Sequence, residues 1–448
     1  WRQVEGMGDQ SDLLRFDRVV LAITKSQWER AESLRDGDGQ DGGGIEATTG
    51  QGDRIEGIIR IEICHLGHLL MVGVVQVVYP EASLWARTGM HTDRENGGSL
   101  KILLVGGRLD WSVPTTHALG LAEGLIQRGH EIQMVCRGGV FLPRFREIGA
   151  EVYQYPSSWL ARRRLMTFLQ DFDPAVVHAT GGLGAQKIAL RLSKVLGRPM
   201  VHTVHSWLSG ERSARATRHA AAVIVVNQDL REHLVGELGI SKEKIRVIPY
   251  GIEIPEAVRE AWSPKGIPVI GTVGRLDKGR RLDDFLKAAG LLRKKIGDVV
   301  FTVLGEGPDE RRLRSVCKTM DLEGHLTFAA PPADVDAVYR AFDVLMLVSD
   351  WGGAGRHMLE GLARGIPTIA TGGGEILSLL GEEGICTLVR PGDPEALAEE
   401  GERLLADPQR ARNQVVVGVE HVRRHFPMRA MLERVEELHK SLTQTLVT

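Results

Sequence analysis

The chain has 448 residues, a formal net charge of -2, 43% hydrophobic and 25% charged residues. That length holds two or three ordinary domains, the composition is globular rather than disordered or fibrous, and the balanced charge carries no basic signature for nucleic acid. Cys64, Cys136, Cys317 and Cys386 are far apart and make no CxxC pair, so neither a zinc site nor a disulfide scaffold is indicated and a reducing compartment is the simplest reading.

Residues 1–97 are unlike the rest. The Gly/Asp-rich stretch "RDGDGQDGGGIEATTGQGD" (Arg35–Asp53) is too polar to bury a core. Leu66–Val78 is too short to span a bilayer and is interrupted by His68 and Gln76, so it reads as a buried segment or a remnant. This region is expected to be a poorly ordered or spurious N-terminal extension, with a small extra domain as the alternative, and a chain starting near Met90 is expected to keep its fold.

A regular pattern begins at Leu100. "KILLVGG" (Lys101–Gly107) is a short apolar run of the kind that forms a fully buried strand, and Thr115–His130 follows as a helix with an apolar stripe and Gly129 at its end. Further strands read at "EIQMVCR", "AVVHAT", "PMVHTVH", "AAVIVVN" and "KIRVIPYG", with helices over Gly184–Leu196 and Asp229–Leu238 between them. Strands that are apolar throughout and separated by helices predict a parallel sheet covered on both faces. After a linker near Glu253–Lys265 a second series starts at "PVIGTVG" and continues through "DVVFTVLG", "HLTFAA", "DVLMLVS", "IPTIAT" and "CTLVRP". Its helices read over Asp283–Lys294, Asp309–Met320, Asp334–Phe342, His357–Arg364 and Glu375–Leu380. The expected organisation is α/β, with an N-terminal domain over 98–255, a C-terminal domain over 256–426, and a last helix within 427–448 that docks elsewhere on the molecule, including back on the first domain. Two such domains facing each other make a cleft at the carboxyl ends of their strands.

The chemistry concentrates in a few places. "GTVGRLDKGRR" ends a buried strand at Gly274 and then supplies Arg275 and Lys278 before a helix, which is the layout of a phosphate site or of a plain basic turn. "LGEGP" makes a glycine turn at Gly305, and "VGGRLDW" places Gly106 and Gly107 at the end of the first strand without the third glycine of a dinucleotide fingerprint. His178 and His205 lie at strand ends, as ligand contacts or as satisfied structural histidines. No HExxH, GxSxG or Walker lysine is present. Trp159–Gln170 and Arg212, Arg215 and Arg218 give the first domain basic faces, suited either to solvent or to anionic lipid.

Taken in order, "GHEIQMV", "VVHATGG", "VHTVHSW", "IRVIPYGIE", "GRLDKGRR", "VLGEGP", "LEGLARGIPTIAT" and "GGGE" resemble the motifs of family-four glycosyltransferases, over about Leu100 to Phe426. The resemblance implies the GT-B fold, two tandem Rossmann-like domains facing a cleft, with acceptor in the first and donor in the second. It implies transfer of a hexosyl-type sugar from a nucleotide-sugar to a glycan, lipid-linked or small-molecule acceptor, with retention at the anomeric carbon and without metal or cofactor. The setting implied is cell-envelope polysaccharide, lipopolysaccharide or glycolipid synthesis in the cytoplasm, with peripheral contact at the inner face of a membrane. By position, His205, Arg275 and Lys278 would be the catalytic set. Gly274, Gly305, Gly352, Gly353, Gly355 and Glu360 would join Arg275 and Lys278 around the donor, with Glu360 on the ribose hydroxyls. Gly106 and Gly107 would form a close-approach loop. The chain departs from the pattern where Gly352 replaces an acid, in the short spacing of "GRLDKG", and at Asn227 in place of serine. Three readings follow: an active transferase; a nucleotide-sugar-binding or scaffold protein of the same architecture whose catalysis went with that acid; or an epimerase or phosphorylase of that architecture, although the chain lacks the cofactor lysine a phosphorylase needs.

Overall fold

The computed structural model describes residues 44–47, 58–66, 69–78, 98–208, 210–256, 258, 266–349, 354–373, 375–380 and 384–444. Contacts divide the chain into a unit Trp1–Glu95 and a unit Asn96–Thr448. In the first, where the sequence suggested little order, β1 (Gly44–Ala47), β2 (Ile58–Leu66) and β3 (Leu69–Val78) pair antiparallel in the order β1-β2-β3. The two longer strands are rich in Val and Ile, residues whose branched side chains favour the pleated surface.

The second unit contains two parallel sheets. The first lobe orders its strands β10-β9-β8-β7-β4-β5-β6, with β4 (Lys101–Val105), β5 (Glu131–Cys136), β6 (Glu151–Gln154), β7 (Val176–Ala179), β8 (Met200–Val204), β9 (Ala222–Val225) and β10 (Ile245–Val247). The second orders β13-β12-β11-β14-β15-β16, with β11 (Val269–Val273), β12 (Val300–Leu304), β13 (Leu326–Ala329), β14 (Val344–Leu347), β15 (Thr368–Thr371) and β16 (Thr387–Val389). Every pairing in both sheets is parallel. The central strands are buried on both faces; Ile102 to Val105 and Val344 to Leu345 have no exposed surface, which is why the sequence reads there as unbroken apolar runs. Some of the helices start at a side chain that satisfies an orphan N–H group. Asn227, the residue that departs from the family's serine, accepts from Leu230 N at 2.9 Å, and Asp334 and Asp393 cap two helices of the second lobe in the same way.

In each sheet the strand order reverses beside the first strand, between β4 and β7 and between β11 and β14. Such switch points open a crevice at the carboxyl ends of the strands. The chain returns to the first lobe at its end: Ile252 bridges Pro427, and the helix Met428–Gln444 lays Met431, Leu432, Val435 and Leu438 into the first lobe's apolar core. Polar contacts fix its register. Glu436 accepts from Arg128 at 2.7 Å, and His439 Nε2 meets His178 Nδ1 at 3.1 Å.

Candidate active site

At the β11/β14 switch point, Gly274, Arg275, Leu276 and Arg280 line a pocket with Leu347, Val348 and Ala354. The loops after β11 and β12 are held together as an extension of the strand ladder: Gly274 N donates to Leu304 O and Leu276 N to Glu306 O, both at 3.0 Å. Backbone meets backbone so closely that a Cβ on Gly305 would stand 1.9 Å from Gly274 O. Gly305 is therefore required by its neighbour strand's loop, a reason visible only in the tertiary structure. Arg275 is exposed and lies 3.4 Å from Asp277, and Lys278 opens a single 3-10 turn, Lys278–Arg280, with its ammonium in solvent. The helix Gly355–Ala363 begins at the pocket behind Ala354, with no side-chain cap on its first N–H groups among the described residues, the kind of helix end that receives anions. Gly352 and Gly353 lie outside the described residues.

Glu360 sits two turns into that helix and is buried. Its Oε1 accepts from Arg356 at 2.8 Å and its Oε2 from Arg364 at 2.6 Å, and Arg364 also pairs with Asp336. The carboxylate expected on a ribose is thus the centre of an arginine clamp, and it is not among the residues lining the pocket.

The first lobe contributes a second group of side chains. His205 follows β8; its ring lies 4.8 Å, centroid to centroid, from that of His117 on the helix Val113–Gln127, and 6.0 Å, nearly parallel, from Tyr250. Arg356 crosses from the second lobe, donating to Gly251 O at 3.2 Å with its guanidinium 5.6 Å from the Tyr250 ring centre. Burial, with Arg356 and His202 beside it, pushes the His205 imidazole down to about 3, and burial, His205 and Arg356 hold His117 well below its ordinary range. Both rings are neutral at physiological pH. Among the described residues, His117 Nδ1, both ring nitrogens of His205 and Arg356 Nε are buried without a hydrogen-bond partner. Buried polar groups are normally satisfied, so this cluster is chemically incomplete as it stands. Gly106 and Gly107 follow β4 on the same lobe. A Cβ on Gly107 would meet nothing within 4 Å, whereas one on Gly181, after β7, would lie 3.2 Å from Gly107 N.

The structure thus brings Gly274, Arg275 and the start of the Gly355 helix to one pocket, and joins His205 to Arg356 across the lobes. It places Gly305 beneath the pocket as packing. His117, Arg356 and His357 were not singled out from the sequence, because a polar residue at one turn of an otherwise apolar helix carries no periodic signal. The Arg356, Glu360, Arg364 spacing was readable in principle, since residues four apart share a helix face.

The architecture is the GT-B fold, two Rossmann-like lobes each with a switch point at the carboxyl ends of its strands. The family patterns "Glycosyltransferase Family 4" and "Glycosyl transferases group 1" match residues 115–255 and 254–416, and the chain belongs to the family-four glycosyltransferases. Among curated relatives, 2-deoxystreptamine glucosyltransferase of Streptomyces kanamyceticus is 27% identical over 223 residues, 47% of this chain and 56% of that protein. 2-deoxystreptamine N-acetyl-D-glucosaminyltransferase of Streptomyces fradiae is 27% identical over 277 residues, 55% of this chain and 66% of that protein. The chain therefore spans less than two thirds of the length of each. Anabaena HepE in complex with UDP-glucose superposes with a TM-score of 0.64 at 19% identity, covering 76% of this chain and all of that one. A Rickettsia africae glycosyltransferase superposes with a TM-score of 0.62 at 17% identity over 77% of this chain and 99% of that one. Among the described residues no helix is long and apolar enough to cross a membrane.

Proposed function

We propose that the chain transfers a hexosyl-type sugar from a nucleotide-sugar, held by the second lobe, to an acceptor held by the first, with retention at the anomeric carbon. The observation that carries this reading is the pocket at the β11 end, where Arg275, Arg280 and the start of the Gly355 helix converge, together with a first lobe in which His117 Nδ1 and both His205 ring nitrogens are buried without partners among the described residues. The first set suits a diphosphate, because fixed positive charge and N–H groups stabilise the negative charge that builds on the leaving group. The second suits sugar hydroxyls, which both donate to and accept from neutral imidazoles. The families named above and relatives described as glucosyl- and N-acetylglucosaminyltransferases support the class of reaction. The acceptor is a glycan, a lipid-linked sugar or a small polyol.

Replacing Lys278 by Ala is expected to weaken nucleoside diphosphate binding by about 1.5–3 kcal/mol, the range for a hydrogen bond to a charged group. Calorimetric titration with UDP, GDP and ADP checks this, and unchanged affinity removes Lys278 from the site. Because protein cations take the place of a metal in this proposal, turnover is expected to persist in excess chelator. Complete loss, restored by magnesium or manganese, contradicts it.

A further inference from the structure

The helix Gly355–Ala363 carries one more polar side chain that the donor site, as described so far, leaves unused. His357 is 2% exposed; its Nδ1 is 2.9 Å from the Tyr339 hydroxyl, and its Nε2 is buried with no partner among the described residues. Nε2 borders the space left by the absent side chain of Gly274. A Cβ built there would stand 3.6 Å from His357 Nε2 and 3.8 Å from Arg280 Cζ. Gly274 and Arg280 both line the pocket. Gly274 has a φ of +141°, so its backbone conformation keeps this residue free of a side chain.

Burial, with Glu360 nearby, holds the Tyr339 phenol well above 10, so it keeps its proton and has it to donate to Nδ1. In a neutral imidazole the other nitrogen then carries the hydrogen. Burial, with Arg280 and Arg356 close by, pushes His357 down to about 3, and the ring is neutral throughout the working range. Among the described residues the Nε2–H meets no acceptor. Gly274 N is already bonded to Leu304 O, and the guanidinium of Arg280 only donates. The pocket beside it is also lined by Arg275 and Arg280, whose guanidinium groups only donate, and a phosphate oxygen, which only accepts, suits both them and the Nε2–H.

We propose that His357, locked by Tyr339 as its Nε2–H tautomer, is a positioning residue that donates a hydrogen bond to the donor's diphosphate at the end of β11. This rests on the donor-site reading given above and adds to it a neutral donor that fixes where the phosphate sits between the cations.

The test is calorimetric titration of UDP, GDP and ADP into the full chain, using whichever nucleotide the wild type binds, with melting temperatures measured alongside. His357→Val removes the donor. His357→Gln returns an amide N–H near the Nε2 position, and His357→Asn returns one near Nδ1 instead. The valine and asparagine variants are expected to bind about 10- to 100-fold more weakly, and the glutamine variant within about threefold of wild type. Tyr339→Phe is expected to fall between them, and the 15N spectrum of wild-type His357 to show the Nε2–H tautomer, with that proton shifting when nucleotide is added. Equal affinity in all variants overturns the proposal while leaving the donor site intact. Equal weakening in all three His357 variants, tracking a fall in melting temperature, overturns it in favour of packing. Absence of nucleotide binding by the wild type overturns the donor-site reading itself, and this inference with it.

Discussion

Acidification is expected to unfold this protein well before its carboxylates are titrated. His202 is held at about 4, and His205, His357 and His439 at about 3, in each case chiefly by burial. His178, enclosed beside His439 and sharing a 3.1 Å contact with it, is held well below its ordinary range too. In the unfolded chain these imidazoles titrate near 6.5. Above pH 6.5 they are neutral in both states and their burial carries no proton-linked penalty. Between 6.5 and the folded values, the unfolded chain binds protons that the fold excludes, so stability falls as the pH falls. Each such histidine removes about 2 kcal/mol by pH 5. Several together approach the whole stability of an ordinary domain, about 5–15 kcal/mol. Calorimetric melting at pH 7, 6 and 5 is expected to show a steep drop below 6.5, and His439→Gln to flatten part of that slope. A melting temperature that is level down to pH 4.5 contradicts the packing of these rings.

The second large effect is at Glu360. Among the described residues, removing this carboxylate by Glu360→Ala leaves buried Arg356 with the Gly251 carbonyl and the Tyr250 ring, and buried Arg364 with the half-exposed Asp336 and the residue-360 main-chain oxygen. Breaking a buried ion pair from one side leaves an uncompensated charge and costs about 3–5 kcal/mol. Urea denaturation is expected to show that loss in the variant without nucleotide present. Glu360→Gln, which keeps the shape, is expected to lose less. If instead both variants unfold like the wild type and lose only nucleoside affinity, Glu360 belongs to the ribose as the family pattern implies, and the arginine clamp is incidental.

Much of the fold was legible because a parallel sheet leaves a simple record. Strands buried on both faces must be apolar throughout, as at Ile102–Val105 and Val344–Leu347, and the helices between them begin at readable caps such as Asp334 and Asp393. The turn at Gly274 and Arg275 was legible for a related reason, since a buried strand ends there in glycine and cations at the carboxyl edge of the sheet. Other features depend on contacts that no local pattern encodes. Gly305 is dictated by the Gly274 carbonyl, which the sheet pairing alone brings near. The contact between His439 and His178 spans 261 positions and exists because the last helix crosses back over the first lobe. His357 looked like an ordinary helix residue, and only its neighbours Tyr339, Gly274 and Arg280 make it a directed donor. The three strands before Val78 were missed because the Gly/Asp-rich stretch beside them dominated the reading of that region.

The most direct test of the account is the rate at which nucleoside diphosphate is released from UDP-, GDP- and ADP-hexoses, with a panel of sugar and polyol acceptors, by the wild type and by a protein carrying Arg275→Ala together with Lys278→Ala. The account predicts acceptor-dependent release by the wild type with one of these donors, and a loss of at least about a hundredfold when both cations are removed, since each contributes on the order of 1.5–3 kcal/mol to holding the leaving group. Equal release by the two proteins would contradict it.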